Sequence, residues 1–217
     1  GAVDVDSTSV VAHYLMGSSL SAQKKMPEAI AELNLALWCQ PGYMPAIRDL
    51  AWLYYQAELY GEATIMYQQG VDLQPASLAL RLGLANCFFK RMKYDEALPL
   101  YREAEAEPFT ETAVYQQGLC YFYLGKFDTA KTYLERALAI DTANIGAHYN
   151  LGLALMNLGE YPAAVGSFGN AIRHSRSDII ASSYDRIGVA QYELKKTNAA
   201  LSAFRRSIDE NPRNARA

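Results

Sequence analysis

The sequence has 217 residues, 51% of them hydrophobic and 20% charged, with a formal net charge of −3. That length and apolar content suffice for a substantial core and argue against intrinsic disorder. The mild negative balance gives no bulk attraction to phosphate, so nucleic acid is not expected as the main partner.

The chain opens at Gly1 rather than Met, which reads as an engineered or processing boundary, and residues 1–9 are expected to form a flexible leader. Its acids, Asp4 and Asp6, precede a helix N-cap expected among Ser7, Thr8 and Ser9. From there, segments of helical periodicity, each about 14 residues long, follow one another in pairs. The pairs occupy 10–43, 44–77, 78–110, 111–144, 145–180 and 181–214, with 215–217 as a tail. Breakers such as Lys25-Met26-Pro27, Gly125-Lys126 and Gly159-Glu160 separate the two members of a pair. Pro27 and Pro162 fall near the start of second helices, where a missing backbone N–H costs little. Gly152 and Ala164 are small enough to let paired helices approach closely. No linker or low-complexity tract interrupts residues 10–214, so a single elongated domain is expected.

Four residue series share one period. Alanine recurs at Ala29, Ala63, Ala97, Ala130, Ala164 and Ala200, at intervals of 34, 34, 33, 34 and 36. Small residues at Gly17, Ala51, Ala85, Gly118, Gly152 and Gly188 step in the same way. Each alanine is followed four residues later by Leu33, Tyr67, Tyr101, Leu134, Phe168 or Phe204, and three further on by Ala36, Gly70, Ala104, Ala137, Ala171 or Ser207. Pro41, Pro75 and Pro212 close three of the units in phase. The longer last interval implies two extra residues near Ser175 to Asp178, absorbed by a loop or by a lengthened first helix in the sixth unit.

This pattern resembles the tetratricopeptide repeat family, whose unit runs W-x2-L-G-x2-Y, then A-x3-F, A and P. The copy at 145–178 carries it best, with Leu151-Gly152, Gly159, Tyr161, Ala164-x3-Phe168 and Ala171. His13 and His148 depart from it by replacing a large apolar residue, the fourth and fifth units lack the closing proline, and Pro108 falls one residue early. The resemblance implies an all-α fold: a right-handed superhelical solenoid of six helix-turn-helix units, about twelve antiparallel helices.

The resemblance also implies a concave groove lined by the first helix of each unit, chiefly at unit positions 2, 5, 9, 12 and 13. Those offsets select Arg48, Trp52, Tyr55 and Gln56 from the second unit, and Leu82, Asn86, Phe89 and Lys90 from the third. The fourth supplies Tyr115, Leu119, Phe122 and Tyr123, the fifth Tyr149, Leu153, Met156 and Asn157, and the sixth Asp185, Tyr192 and Glu193. A groove with aromatic and aliphatic residues at its middle suits an amphipathic helix or an extended apolar peptide. Arg48, Asn86, Lys90 and Asn157 would fix the register of such a ligand. The Lys/Asn pair by which chaperone-binding members grip a carboxylate does not occur at the corresponding positions, so acidic chaperone tails are not expected partners. Of the asparagine ladder of glycosyltransferase-linked arrays only Asn150 is present.

Catalytic, phosphate-binding and metal motifs are missing from the sequence, and no cofactor or enzymatic activity is expected. His13, His148 and His174 read as packing histidines, and Cys39, Cys87 and Cys120 as reduced thiols outside any disulfide or zinc framework. The basic residues Lys90, Arg91 and Lys93, and Arg205, Arg206, Arg213 and Arg216, lie among acids and read as solvated surface. No apolar run reaches the ~18 residues of a membrane span. Together with the missing signal and cysteine patterns, this favours a cytoplasmic setting. The expected function is a protein-binding adaptor. Two alternatives are a self-assembling scaffold, joined through the groove or the last helix with its Leu201, Phe204 and Ile208, and the targeting domain of a longer enzyme.

Overall fold

The computed structural model describes residues 7–106, 110–175 and 179–211. Among them are twelve α-helices and no strand, and the chain divides into two compact units, Gly1–Ala106 and Glu107–Ala217.

The first unit contains three helical hairpins: α1 (Ser7–Ala22) with α2 (Met26–Cys39), α3 (Met44–Gln56) with α4 (Tyr60–Leu73), and α5 (Leu78–Lys90) with α6 (Tyr94–Glu103). The second repeats the plan with α7 (Thr110–Tyr123) and α8 (Phe127–Ile140), α9 (Ile145–Asn157) and α10 (Tyr161–His174), and α11 (Ile179–Glu193) and α12 (Thr197–Glu210). A lone hairpin leaves one apolar face wet, and stacking the next hairpin on it removes that face from water. The repeating alanines carry this out: all six are buried, five of them completely. In the first unit Ala29, Leu33 and Ala36 of α2 pack with Ala46, Leu50 and Leu53 of α3. In the second, Ala130, Leu134 and Ala137 of α8 pack with Ala147 and Leu151 of α9, and Phe168 closes the cluster.

All six hairpins turn in the same way. Lys24, Glu58, Met92, Gly125, Gly159 and Lys195 have φ between 58° and 75°, the left-handed region. The next residue donates its N–H back over the end of the first helix, as in Lys25 to Leu20 (3.0 Å) and Glu160 to Leu155 (2.9 Å). This is the Schellman ending, which satisfies carbonyls the helix leaves open. Only two of the six positions hold glycine, although a side chain there costs roughly 1–2 kcal/mol. Gly159→Ala is therefore expected to lower the unfolding free energy by about 1 kcal/mol, and Met92→Gly to raise it by about 0.5 kcal/mol after the extra freedom of the unfolded glycine is counted. Urea denaturation checks both signs.

Three details refine the sequence expectation. α1 already includes Ser7, Thr8 and Ser9, and Asp4 and Asp6 fall outside the described residues. α6 has 10 residues and holds Pro99 in its interior, yet Ala104 beyond its end stays buried, so the packing series outlasts the helix. α11 has 15 residues where α9 has 13, which places extra length in the sixth first helix. Pro108, residues 176–178, Pro212, Arg213, Arg216 and the 215–217 tail lie outside the described residues.

Candidate binding face

In the first unit, α1, α3 and α5 line a cavity of about 850 Å³. Its wall takes Ser18 and Ser21 from α1, Met44, Pro45, Arg48, Asp49, Trp52 and Leu53 from α3, and Ala79 and Leu80 from α5. Leu33, Tyr67, Gln74 and Ser77 complete it. A volume of this size is typical of small-ligand pockets and accommodates a few side chains of a peptide.

The polar side of the cavity is organised around Asp49. Its Oδ1 accepts from Arg48 Nε at 3.2 Å, and the Tyr14 phenol lies near the same carboxylate. Burial first, and then the Asp49 charge, hold the Tyr14 phenol above its ordinary pKa. The Arg48 guanidinium is thus tethered while remaining largely in solvent, and two of its nitrogens stay available to an acceptor. On the apolar side, Trp52 stands 52% exposed with its ring on the cavity wall. A solvated indole of that size beside an open apolar cavity is costly surface in water and productive surface in an interface.

None of the nineteen groove residues expected from the sequence is fully buried. Arg48, Trp52, Gln56 and Lys90 are exposed, and Tyr55, Leu82, Asn86 and Phe89 are half-buried. In the second unit Tyr123, Asn157, Tyr192 and Glu193 are exposed, while Tyr115, Leu119, Phe122, Tyr149, Leu153, Met156 and Asp185 are half-buried. Several already have partners. Asn86 Oδ1 accepts from the Tyr101 hydroxyl at 2.7 Å, the Tyr115 hydroxyl accepts from Asn150 at 3.0 Å, and Asn157 donates to the Leu153 carbonyl of its own helix. Tyr149 meets Phe168 edge-on.

A second role emerges for three of the aromatics. Tyr55 with Tyr60, Phe89 with Tyr94, and Phe122 with Phe127 form edge-to-face pairs, with centroids 5.3–5.5 Å apart, across the turn of successive hairpins. These rings hold the turn together as well as bordering the face. The cavity draws only Arg48 and Trp52 from the expected set and adds Ser18, Ser21, Pro45, Asp49 and Ala79, among others. Pro45 and Ala79 stand at position 2 of their units, and Ser18 and Ser21 at positions 9 and 12 of the first, so the same offsets applied to every unit would have found them. Asp49 had no such signal, because position 6 of its unit lies outside those offsets.

His148 is buried, its Nε2 donates to the Thr142 carbonyl at 3.0 Å, and its ring stacks on His174; His13 pairs with Glu32 at 2.7 Å. Cys87 and Cys120 are buried and Cys39 is half-buried; all three are free thiols. Among the described residues no cluster of His, Cys, Asp and Glu is arranged to hold a metal, and no helix is long and apolar enough to cross a membrane.

Three family models match the chain, one described as TPR repeat over 118–159 and two as tetratricopeptide repeat over 48–109 and 182–214, together more than half of it. Tetratricopeptide repeat protein 8 of Caenorhabditis elegans is 24% identical over 147 residues, covering 67% of this chain and 29% of that protein. The chain therefore spans less than a third of that relative's length. Among solved structures, PilW, a widely conserved type IV pilus biogenesis factor, matches with a TM-score of 0.76 at 19% identity, over 95% of this chain and 94% of that one. YrrB, described as a TPR protein with an unusual peptide-binding site, matches with a TM-score of 0.66 at 20% identity, over 83% and 92%. At these identities the likeness is one of fold.

Proposed function

This chain belongs to the tetratricopeptide repeat family, and from that premise we propose that it is a non-enzymatic adaptor whose first-helix faces hold an apolar or amphipathic segment of another protein. The observation that carries the reading is the 850 Å³ cavity with Trp52 on its wall and the tethered Arg48 at its polar side. An apolar side chain of the ligand fills the cavity against Leu53, Leu80 and Trp52, and Arg48 takes a backbone carbonyl or a carboxylate next to it. The half-buried aromatics Tyr115, Phe122 and Tyr149 offer further contact area within the second unit.

Trp52 is the residue to change. Its ring projects into solvent, so truncation leaves the core intact, unlike Phe122, which also braces a turn. In a panel of amphipathic and extended apolar peptides measured by fluorescence anisotropy, Trp52→Ala is expected to weaken the best binders about 5- to 150-fold, the equivalent of 1–3 kcal/mol. Equal affinities for wild type, Trp52→Ala and Arg48→Ala would remove this face from the proposal. In a Trp38→Phe background the indole of Trp52 reports directly, because these are the two tryptophans of the chain.

A further inference from the structure

Two tyrosines hold the same place in successive hairpins but differ in their hydrogen bonding. Tyr101 of α6 is fully buried, and its hydroxyl donates to Asn86 Oδ1 of α5 at 2.7 Å. Tyr67 of α4 stands at the same unit position, 24, but position 9, where the third unit has Asn86, is Trp52 in the second. An indole offers a donor and no acceptor. Among the described residues the Tyr67 hydroxyl accordingly has no hydrogen-bond partner, although the side chain is only 9% exposed. The ring is held in the core of α3, α4 and α5 against Gly83, where a Cβ would overlap it.

Tyr67 also lines the 850 Å³ cavity, and burial keeps its phenol protonated well above neutral pH. Solvent can serve this donor while the cavity is open. A ligand that covers it without supplying an acceptor leaves a buried donor unpaired, which costs binding. The walls decide which acceptor fits. Leu53 and Leu80 call for an apolar stem. Asp49 lies on the same wall and repels a carboxylate, while the Arg48 guanidinium is tied to Asp49 and largely in solvent. A neutral tip is therefore cheaper to bury than a charged one. Ser18 and Ser21 add hydroxyl oxygens that can take the N–H groups of an amide.

We infer that the segment held on this face inserts a glutamine, its methylenes against the leucines and its amide oxygen accepting from the Tyr67 hydroxyl. The inference rests on the peptide-binding reading above and narrows it to one kind of anchor residue. The cavity admits this side chain beside the apolar one that packs on Trp52, and Arg48 keeps its role at the polar side.

The tightest peptide of the panel, remade with glutamine, methionine or glutamate in turn at each anchor position, tests it by fluorescence anisotropy. At one position wild type is expected to prefer glutamine to methionine by about 5-fold or more, because methionine has the length but leaves the hydroxyl unpaired. Tyr67→Phe is expected to erase or reverse that preference. A preference that survives Tyr67→Phe, or no preference at any position, overturns the inference, and so does tighter binding of glutamate than of glutamine. Trp52→Ala in the same assay tells two failures apart. If it weakens the peptides while Tyr67→Phe changes nothing, the face stands and the glutamine is wrong. If neither variant matters, or no peptide binds, the peptide-binding reading falls as well. The unpaired hydroxyl has its own check without a ligand. Tyr101→Phe is expected to lower the urea midpoint, since Asn86 loses its donor, whereas Tyr67→Phe is expected to leave it unchanged. Equal losses would show the Tyr67 hydroxyl already paired and overturn the inference too.

Discussion

Replacing Phe168 with alanine is expected to lower the unfolding free energy of the second unit by about 3–5 kcal/mol. The ring is fully buried among Ala130, Leu134, Ala137, Leu151 and Ala164, and Tyr149 meets it edge-on at 5.6 Å. It lies against Gly152 of the facing helix, where a Cβ would stand 2.6, 2.7 and 2.8 Å from three ring carbons. In an open helix, Gly→Ala gains about 1 kcal/mol from propensity alone. Here the ring is enclosed and overpacking costs about 1–3 kcal/mol, so Gly152→Ala should be neutral to destabilising by about 2 kcal/mol. In the Phe168→Ala background the same substitution enters vacated space and should become stabilising by up to about 1 kcal/mol. A double-mutant cycle by urea denaturation reads that reversal of sign. Equal effects of Gly152→Ala in both backgrounds would show that the ring and the glycine are not coupled. Gly188 and Phe204 stand in the same relation, at 2.5 Å, and Gly17 and Leu33 at 2.7 Å, so the pairing is a property of the repeat.

The second large effect lies at high pH. Burial pushes the Cys87 thiol from 9.0 up to about 12, against weaker opposite pulls from Arg91 and Thr64. Burial, with Cys87 and Tyr55 nearby, likewise raises Tyr67 from 10.0 to about 12. Both belong to the core cluster of α3, α4 and α5. Below pH 9 the thiol is protonated in the folded and unfolded chain alike, so its contribution is complete. Between pH 9 and 12 the unfolded chain releases the proton while the folded one keeps it, and stability falls as pH rises. For Cys87 the loss is about 2 kcal/mol at pH 10.5 and about 4 kcal/mol by pH 12, with Tyr67 adding to it from pH 10 upward. Cys87→Ala should lose stability at pH 8 by leaving a small cavity, yet decline less steeply than wild type between pH 8 and 10.5. Parallel pH profiles for the two proteins would contradict this account. The same burial keeps Cys87 a thiol at neutral pH, in keeping with a packing role.

The alanine, small-residue and large-residue series determined, from sequence alone, the helical pairs, their order and the core, because an i, i+3, i+4 spacing specifies which face of a helix is buried and the repeat specifies against what. Ala29, Ala63, Ala130 and Ala164 needed no tertiary information to be placed in the interior. The same spacing assigned Tyr55, Phe89 and Phe122 to the groove, but only the folded hairpins brought them against Tyr60, Tyr94 and Phe127, a relation across a turn that the offsets of one helix do not express. Tertiary structure likewise decided that Asp49, bonded to Arg48 and near the Tyr14 phenol, lines the cavity. Local periodicity encodes which side of each helix leaves water; the shape of a cavity depends on helices from different repeats meeting, which no single period records.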